Sequence, residues 1–107
     1  DGTSIKIFAA PWFLAAKLQA YQGRGHGDVL MSNDIEDIIA LLDGREELVE
    51  EMKRANAELQ HFVSSQFTAL MRLSAFRDVI QSTAQNQDRE TLLYERLKTL
   101  VGLEVSA

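Results

Sequence analysis

The sequence contains no cysteine among its 107 residues, which excludes disulfide bridges and thiolate-bound metal sites. It has no apolar run of 18 residues and no recognisable signal peptide, so neither a transmembrane helix nor export is expected. The chain has 11 basic and 16 acidic residues, and its net charge is −5. This balance argues against electrostatic binding of nucleic acid or of an anionic membrane. We expect a cytoplasmic protein.

The length suits one domain with a modest core, and a hydrophobic content of 46% excludes a disordered chain. The hydrophobic periodicity predicts a mostly α fold, with five or six helices bundled over residues 10–107. In residues 1–9, Ile5 and Ile7 alternate with Lys6 and Phe8, which is the pattern of a strand. A lone strand needs a sheet that this chain does not supply, so the segment either completes a sheet from elsewhere or is a frayed arm.

A first helix is predicted over residues 11–22, because proline suits the first position of a helix, where no N–H is needed. This helix is apolar almost all round, which is typical of a buried helix. Lys17 lies within it. Lys17, Tyr21 and Arg24 are spaced i, i+4, i+7 and share one stripe if the helix continues to Arg24.

A second helix is predicted over residues 32–43, with Ser32 as its N-cap. Four apolar residues follow at helical spacing and define its buried face: Ile35, Ile38, Ile39 and Leu42. Asp34 and Asp37 lie three residues apart on the flank of that face, so they could hold a cation, orient a lysine or cap the helix. Further helices are predicted over residues 45–55, 56–73, 75–82 and 89–101.

Motifs for other chemistries are missing. The glycine-rich loop over residues 23–31 follows a helix rather than a strand, so it does not fit a dinucleotide-binding fingerprint. His26 and His61 lack partners at the spacing of a catalytic triad or a zinc motif. No metal ligands are assigned. Arg45 is expected at the surface or as a partner of Asp37 or Asp43.

Lys17 is the strongest candidate for a functional residue, because a lysine among apolar side chains must either reach water or contact an anion. That anion is either a phosphate or a carboxylate of Asp34 or Asp37, in which case an ion pair ties the first helix to the second. Arg24 has the same choice between a phosphate and Asp28.

The pattern KLQAY…R…S-x-D-x-x-D-I…L-x-x-G-R resembles the C-terminal motifs of the AbiEii/AbiGii-type toxin nucleotidyltransferases. The resemblance covers roughly residues 4–50, and residues 4–8 look like the last core strand of that fold. The matching positions are Lys17, Leu18, Ala20, Arg24, Ser32, Asp34, Asp37, Gly44 and Arg45.

The resemblance implies a transferase of the polymerase-beta-like superfamily that uses Mg²⁺ and an NTP. It assigns catalytic roles to Lys17, Asp34 and Asp37, and nucleotide binding to Lys17 and Arg24. The family's Gly-Ser turn and metal-binding carboxylates would lie upstream, but only sixteen residues precede Lys17. The chain therefore looks like the C-terminal half of such an enzyme, inactive and without cofactor until joined to its N-terminal half.

The alternative is a helical interaction or oligomerisation module with no chemistry, which fits the acidic surface and the apolar stripe of the fourth helix. The isolated chain is expected to pair with itself as a homodimer, which would cover the exposed edge and the apolar first helix.

Overall fold

A computed structural model describes residues 2–23 and 33–103 of the chain. The prediction of a mostly α fold with five or six helices is confirmed, since the described residues form six helices and no strand. None of these helices combines the length and the hydropathy needed to cross a bilayer. The helices are α1 Gly2–Gly23, α2 Asn33–Gly44, α3 Leu48–Lys53, α4 Ala57–Met71, α5 Ser74–Thr83 and α6 Gln87–Val101.

The N-terminal segment differs from the prediction. Residues 2–9 belong to α1, where the alternating pattern predicted a strand or an arm. A helix satisfies its backbone hydrogen bonds internally, whereas a strand here would have no neighbouring strand in the described part of the chain. Pro11 consequently lies inside α1 rather than at its first position, although a proline in a helix interior removes one backbone hydrogen bond.

The helices pack around one core. α2, α3 and α4 each contact both α1 and α6, and α5 contacts α4 and α6. The buried face predicted for α2 is confirmed, because its four apolar residues have no exposed surface. The other helices contribute side chains that are just as completely buried: Leu14 and Leu18, Leu48 and Met52, Val63 and Phe67, Phe76 and Ile80, and Leu93, Leu97 and Leu100.

Two arginines of α6 bind the C-terminal end of α2. Arg89 donates from Nε to Asp43 Oδ1 at 2.9 Å and from Nη2 to the Asp43 carbonyl at 2.7 Å. Arg96 Nη1 donates to the carbonyls of Leu42 and Asp43 at 2.5 and 3.1 Å. The last turn of α2 contains no basic residue of its own. Positive charge at this negative end of the helix dipole therefore comes from α6 and joins the two helices.

Replacement of Arg96 by methionine is expected to lower the free energy of unfolding by about 1.5–3 kcal/mol, the usual contribution of hydrogen bonds from a charged group. Arg96→Lys should recover only part of this loss, because an ammonium cannot reproduce the planar fork of a guanidinium. The measurement is urea denaturation. Arg72→Met is the control, since Arg72 is exposed. Equal losses in Arg96→Met and Arg72→Met would contradict the assigned role of Arg96.

Tyr94 of α6 makes stability depend on pH under alkaline conditions. Burial, reinforced by the charge of Glu90, raises the pKa of the Tyr94 phenol above its ordinary value of 10.0. Below that value the phenol is neutral in both states. Above it the unfolded chain loses the proton first, so the free energy of unfolding falls as pH rises.

Above about pH 10, stability should therefore fall less steeply in Tyr94→Phe than in the wild-type protein. Urea denaturation at several pH values measures both slopes. Other groups titrate in the same range, so only the difference between the two proteins is informative. Identical slopes would contradict this assignment to Tyr94.

Candidate functional site

The candidate site lies where the middle of α1 meets the first turns of α2. Lys17 Nζ is 2.8 Å from Asp37 Oδ2 and 3.8 Å from Asp34 Oδ1. Leu14 and Leu18 on either side of Lys17 are fully buried and fix this part of α1 against the core. The three residues to which the resemblance assigns catalytic roles thus come together from two helices.

The two carboxylates have different environments. The side chain of Asp34 is only 6% exposed, whereas that of Asp37 is 48% exposed. Asp34 lies in the first turn of α2, where the helix dipole stabilises negative charge. The buried isoleucines of α2 hold both aspartates towards α1. The result is one fixed, buried carboxylate and one carboxylate that reaches solvent.

A third contact to the lysine was missed by the sequence analysis. Lys17 Nζ lies 5.5 Å from the centroid of the Phe13 ring, within the range of a cation–π interaction. Phe13 is four residues before Lys17, so the two side chains are neighbours on one face of α1. The spacing was therefore a usable signal. The contact with Lys17 covers part of the Phe13 ring, although this side chain remains 47% exposed.

The chemistry available to this cluster is that of a single ammonium held by anions. A lysine side chain has three N–H donors and no acceptor, so it can exchange a carboxylate oxygen for a phosphate oxygen. Its side chain is 28% exposed and therefore accessible from solvent. Among the described residues no three histidine, aspartate or glutamate side chains cluster as metal ligands would.

Other residues singled out from the sequence are placed as follows. Arg24, assigned to nucleotide binding by the resemblance, lies outside the described residues, as do His26, Asp28 and Ser32. Tyr21, one helical turn after Lys17, is buried. His61 is exposed.

Arg45 pairs with neither Asp37 nor Asp43, so the pairing that the sequence suggested is wrong, whereas the expected surface position fits a side chain that is 37% exposed. It donates to Glu51 through Nε at 2.8 Å and through Nη2 at 2.7 Å. The hydrogen bond to Glu51 raises the pKa of Arg45 above its ordinary value. Asp43 is occupied by Arg89, and the C-terminal end of α2 directs Arg45 towards α3. Glu51 is buried, and the bidentate pair satisfies both of its oxygens.

Comparisons with protein-family models, with curated proteins and with solved structures find no match to this chain.

Proposed function

We propose that this chain is the helical, C-terminal part of a toxin-like nucleotidyltransferase that uses Mg²⁺ and an NTP. The proposal depends on one observation, the meeting of Lys17 with Asp34 and Asp37. The resemblance assigns these residues to one active site, although 17 and 20 residues of sequence separate the aspartates from the lysine. In the proposal Lys17 contacts the triphosphate, and the two carboxylates orient its ammonium.

The energetics of the cluster favour such an exchange of partners. Ion pairs at the protein surface are typically worth about 0.2–1 kcal/mol. Because Asp37 is half-exposed, a more highly charged anion can displace it from Lys17. A triphosphate carries several negative charges and accepts hydrogen bonds at every terminal oxygen. Asp34, being buried, keeps its place beside α1 while Asp37 moves. Lys17 would then stabilise the charge that develops as the phosphoryl bond breaks.

The metal belongs to another part of the enzyme in this proposal. Two-metal and one-metal phosphoryl transfer needs carboxylates that face the metal ion, whereas Asp34 and Asp37 face an ammonium. The paired carboxylates and the Gly-Ser turn of the family would be supplied by an N-terminal half, which is the principal partner proposed for this chain. The protein would act in the cytoplasm.

A helical interaction module is the second candidate. It is favoured by the near neutralisation of Lys17 within the cluster, because a carboxylate at 2.8 Å already meets the need of the ammonium for an anion. In that case the cluster ties α1 to α2 and does nothing further. Both candidates predict the same contacts, and only the transferase predicts turnover that depends on Lys17.

The first test is made on the protein purified from its natural source. Its intact mass is measured, and it is then incubated with Mg²⁺ and each of the four α-labelled NTPs. We expect a mass above 12.0 kDa, and label transferred to a protein, an RNA or a small molecule in a reaction that EDTA abolishes. A native mass of 12.0 kDa without label transfer would contradict the transferase and leave the interaction module.

A further inference from the structure

A polar cleft lies between the end of α5 and the first part of α6. It has a volume of about 570 Å³. Gln87, Glu90, Thr91 and Tyr94 line it from α6, and their spacing of i, i+3, i+4 and i+7 puts them on one face of that helix. Gln81 lines it from α5. The cleft is separate from the Lys17 cluster, and the proposed function makes no use of it.

The cleft contains one ionisable acid and no base. Within the described part of the chain, Glu90 is the only charged residue that lines it. Glu90 is half-buried, and its carboxylate forms no ion pair or hydrogen bond with the described residues. It lies in the first turn of α6, where the helix dipole keeps a carboxylate ionised. A half-buried anion without a partner favours a cation from solution.

Tyr94 supplies an aromatic ring beside this carboxylate. It follows Glu90 by four residues, so the two side chains are neighbours, and the face of a tyrosine ring attracts a cation. Burial and the charge of Glu90 raise the pKa of the Tyr94 phenol, while Arg77 and Asp78 of α5 act on it with opposite signs. Arg77 Nη1 donates to the Met71 carbonyl at 2.8 Å, which ties this cation to the end of α4.

The other lining groups favour a primary ammonium over a metal ion. An ammonium has three N–H donors and no acceptor. Besides the Glu90 carboxylate, the cleft offers it the side-chain oxygens of Gln81, Gln87 and Thr91, none of which is hydrogen-bonded to another described residue. A metal ion generally takes several charged ligands, and the described residues contain no cluster of three such side chains.

We propose that this cleft binds a primary alkylammonium group, with Glu90 as its counter-ion, Tyr94 as the ring beside it, and Gln81, Gln87 and Thr91 as hydrogen-bond acceptors. Such a group belongs either to a free amine or to a lysine side chain of another protein, and the chemistry of the contact is the same. The net charge of −5 attracts cations of both kinds. The inference does not depend on the transferase proposal.

The experiment is a titration of the complete, ¹⁵N-labelled protein with n-butylammonium chloride at constant ionic strength, followed by amide chemical shifts. We expect shifts around the cleft, including the side-chain amides of Gln81 and Gln87, with a dissociation constant of about 1–10 mM. The uncharged isostere 1-butanol should not produce them. A neutral-ended peptide with one central lysine is the second ligand. Tighter binding of the peptide would identify a lysine side chain as the natural ligand, and tighter binding of butylammonium a free amine.

Glu90→Gln should raise the dissociation constant for butylammonium at least about tenfold, because it removes the charge and keeps the shape of the side chain. Tyr94→Leu should raise it about two- to fivefold, the value of an exposed cation–π contact. Asp88→Asn is the matched control. Asp88 is an exposed acid in the same helical turn and does not line the cleft, so its variant has the same net charge as Glu90→Gln and should bind as the wild-type protein does.

Three results would overturn the inference. The first is an absence of shifts at the cleft at concentrations well above the expected dissociation constant. The second is equal weakening in Glu90→Gln and Asp88→Asn, since net charge alone would then explain binding. The third is an equal response to 1-butanol, since the cleft would then bind the alkyl chain. The comparison with 1-butanol uses the wild-type protein, so the test remains decisive if Tyr94→Leu fails to fold.

Discussion

Replacement of Lys17 by methionine in the complete protein is expected to lower the rate of nucleotidyl transfer by about 10²–10³-fold. The same change should lower the free energy of unfolding by no more than about 1 kcal/mol. The two effects differ because the ammonium stabilises the transition state, in which the phosphoryl oxygens develop charge, more strongly than it stabilises the fold. In the resting protein its nearest partner is the half-exposed Asp37, at 2.8 Å.

Methionine is suited to this test because it keeps the unbranched length of the lysine side chain and removes only the charge. It can still pack against Phe13, which lies beside the Lys17 ammonium in the structure. Lys17→Arg restores the charge and should recover part of the rate. Arginine places its donors in a wider fork, so recovery should be incomplete.

Lys53→Met is the matched control. Lys53 also forms an ion pair, with Glu50 at 3.1 Å, but both side chains are largely exposed and the pair lies on α3 alone. Loss of this pair should leave the transfer rate unchanged and change stability by about 0.5 kcal/mol or less. Transfer by single turnover and unfolding in urea, measured on the same preparations, separate the two effects.

A transfer rate that is unchanged in Lys17→Met, together with a loss of stability, would show that the cluster only joins α1 to α2. The catalytic assignment of Asp34 and Asp37 would then be withdrawn as well, because in the proposal both act through the ammonium. The helical interaction module would be the remaining candidate.

The contact between Lys17 and the aspartates could be predicted from the sequence because each part of it is local. The spacing of the isoleucines fixes which face of α2 is buried, and Asp34 and Asp37 necessarily flank that face. A lysine in an apolar helix needs an anion, and the next helix supplies two. The contact alone does not decide between a phosphate-binding lysine and a structural ion pair, since both require the same geometry.

The N-terminal segment could not be predicted in this way. An alternation over four or five residues fits a strand, but so short a pattern does not distinguish a strand from one turn of a longer helix. Pro11 strengthened the error, because proline is favoured at the first position of a helix. In the structure α1 includes both the segment and the proline.

Contacts between distant residues were also missed. Arg89 and Arg96 reach Asp43 and Leu42 across 46 to 54 residues of sequence, and no local pattern reports such a distance. The burial of Glu51 did have a local signal. Glu51 is three residues after Leu48 and adjacent to Met52, and both are fully buried. An acidic residue on that face needs a cation, which Arg45 provides.

Phe67→Ala should have the largest effect on stability, a loss of about 3–5 kcal/mol in the free energy of unfolding. Phe67 has no exposed surface and lies on α4, which contacts α1, α5 and α6. Removal of its ring leaves a cavity in the core that the surrounding structure fills only in part. The free energy of unfolding of such a domain is typically about 5–15 kcal/mol, so this one substitution would remove a large part of it.

Phe13→Ala is the matched control, because it removes the same ring from a position that is 47% exposed. Its expected cost is about 0.5–1 kcal/mol, the value of an exposed cation–π contact with Lys17. Urea denaturation of both variants gives the difference. Equal losses would mean that the rings of Phe13 and Phe67 are buried to the same degree in solution.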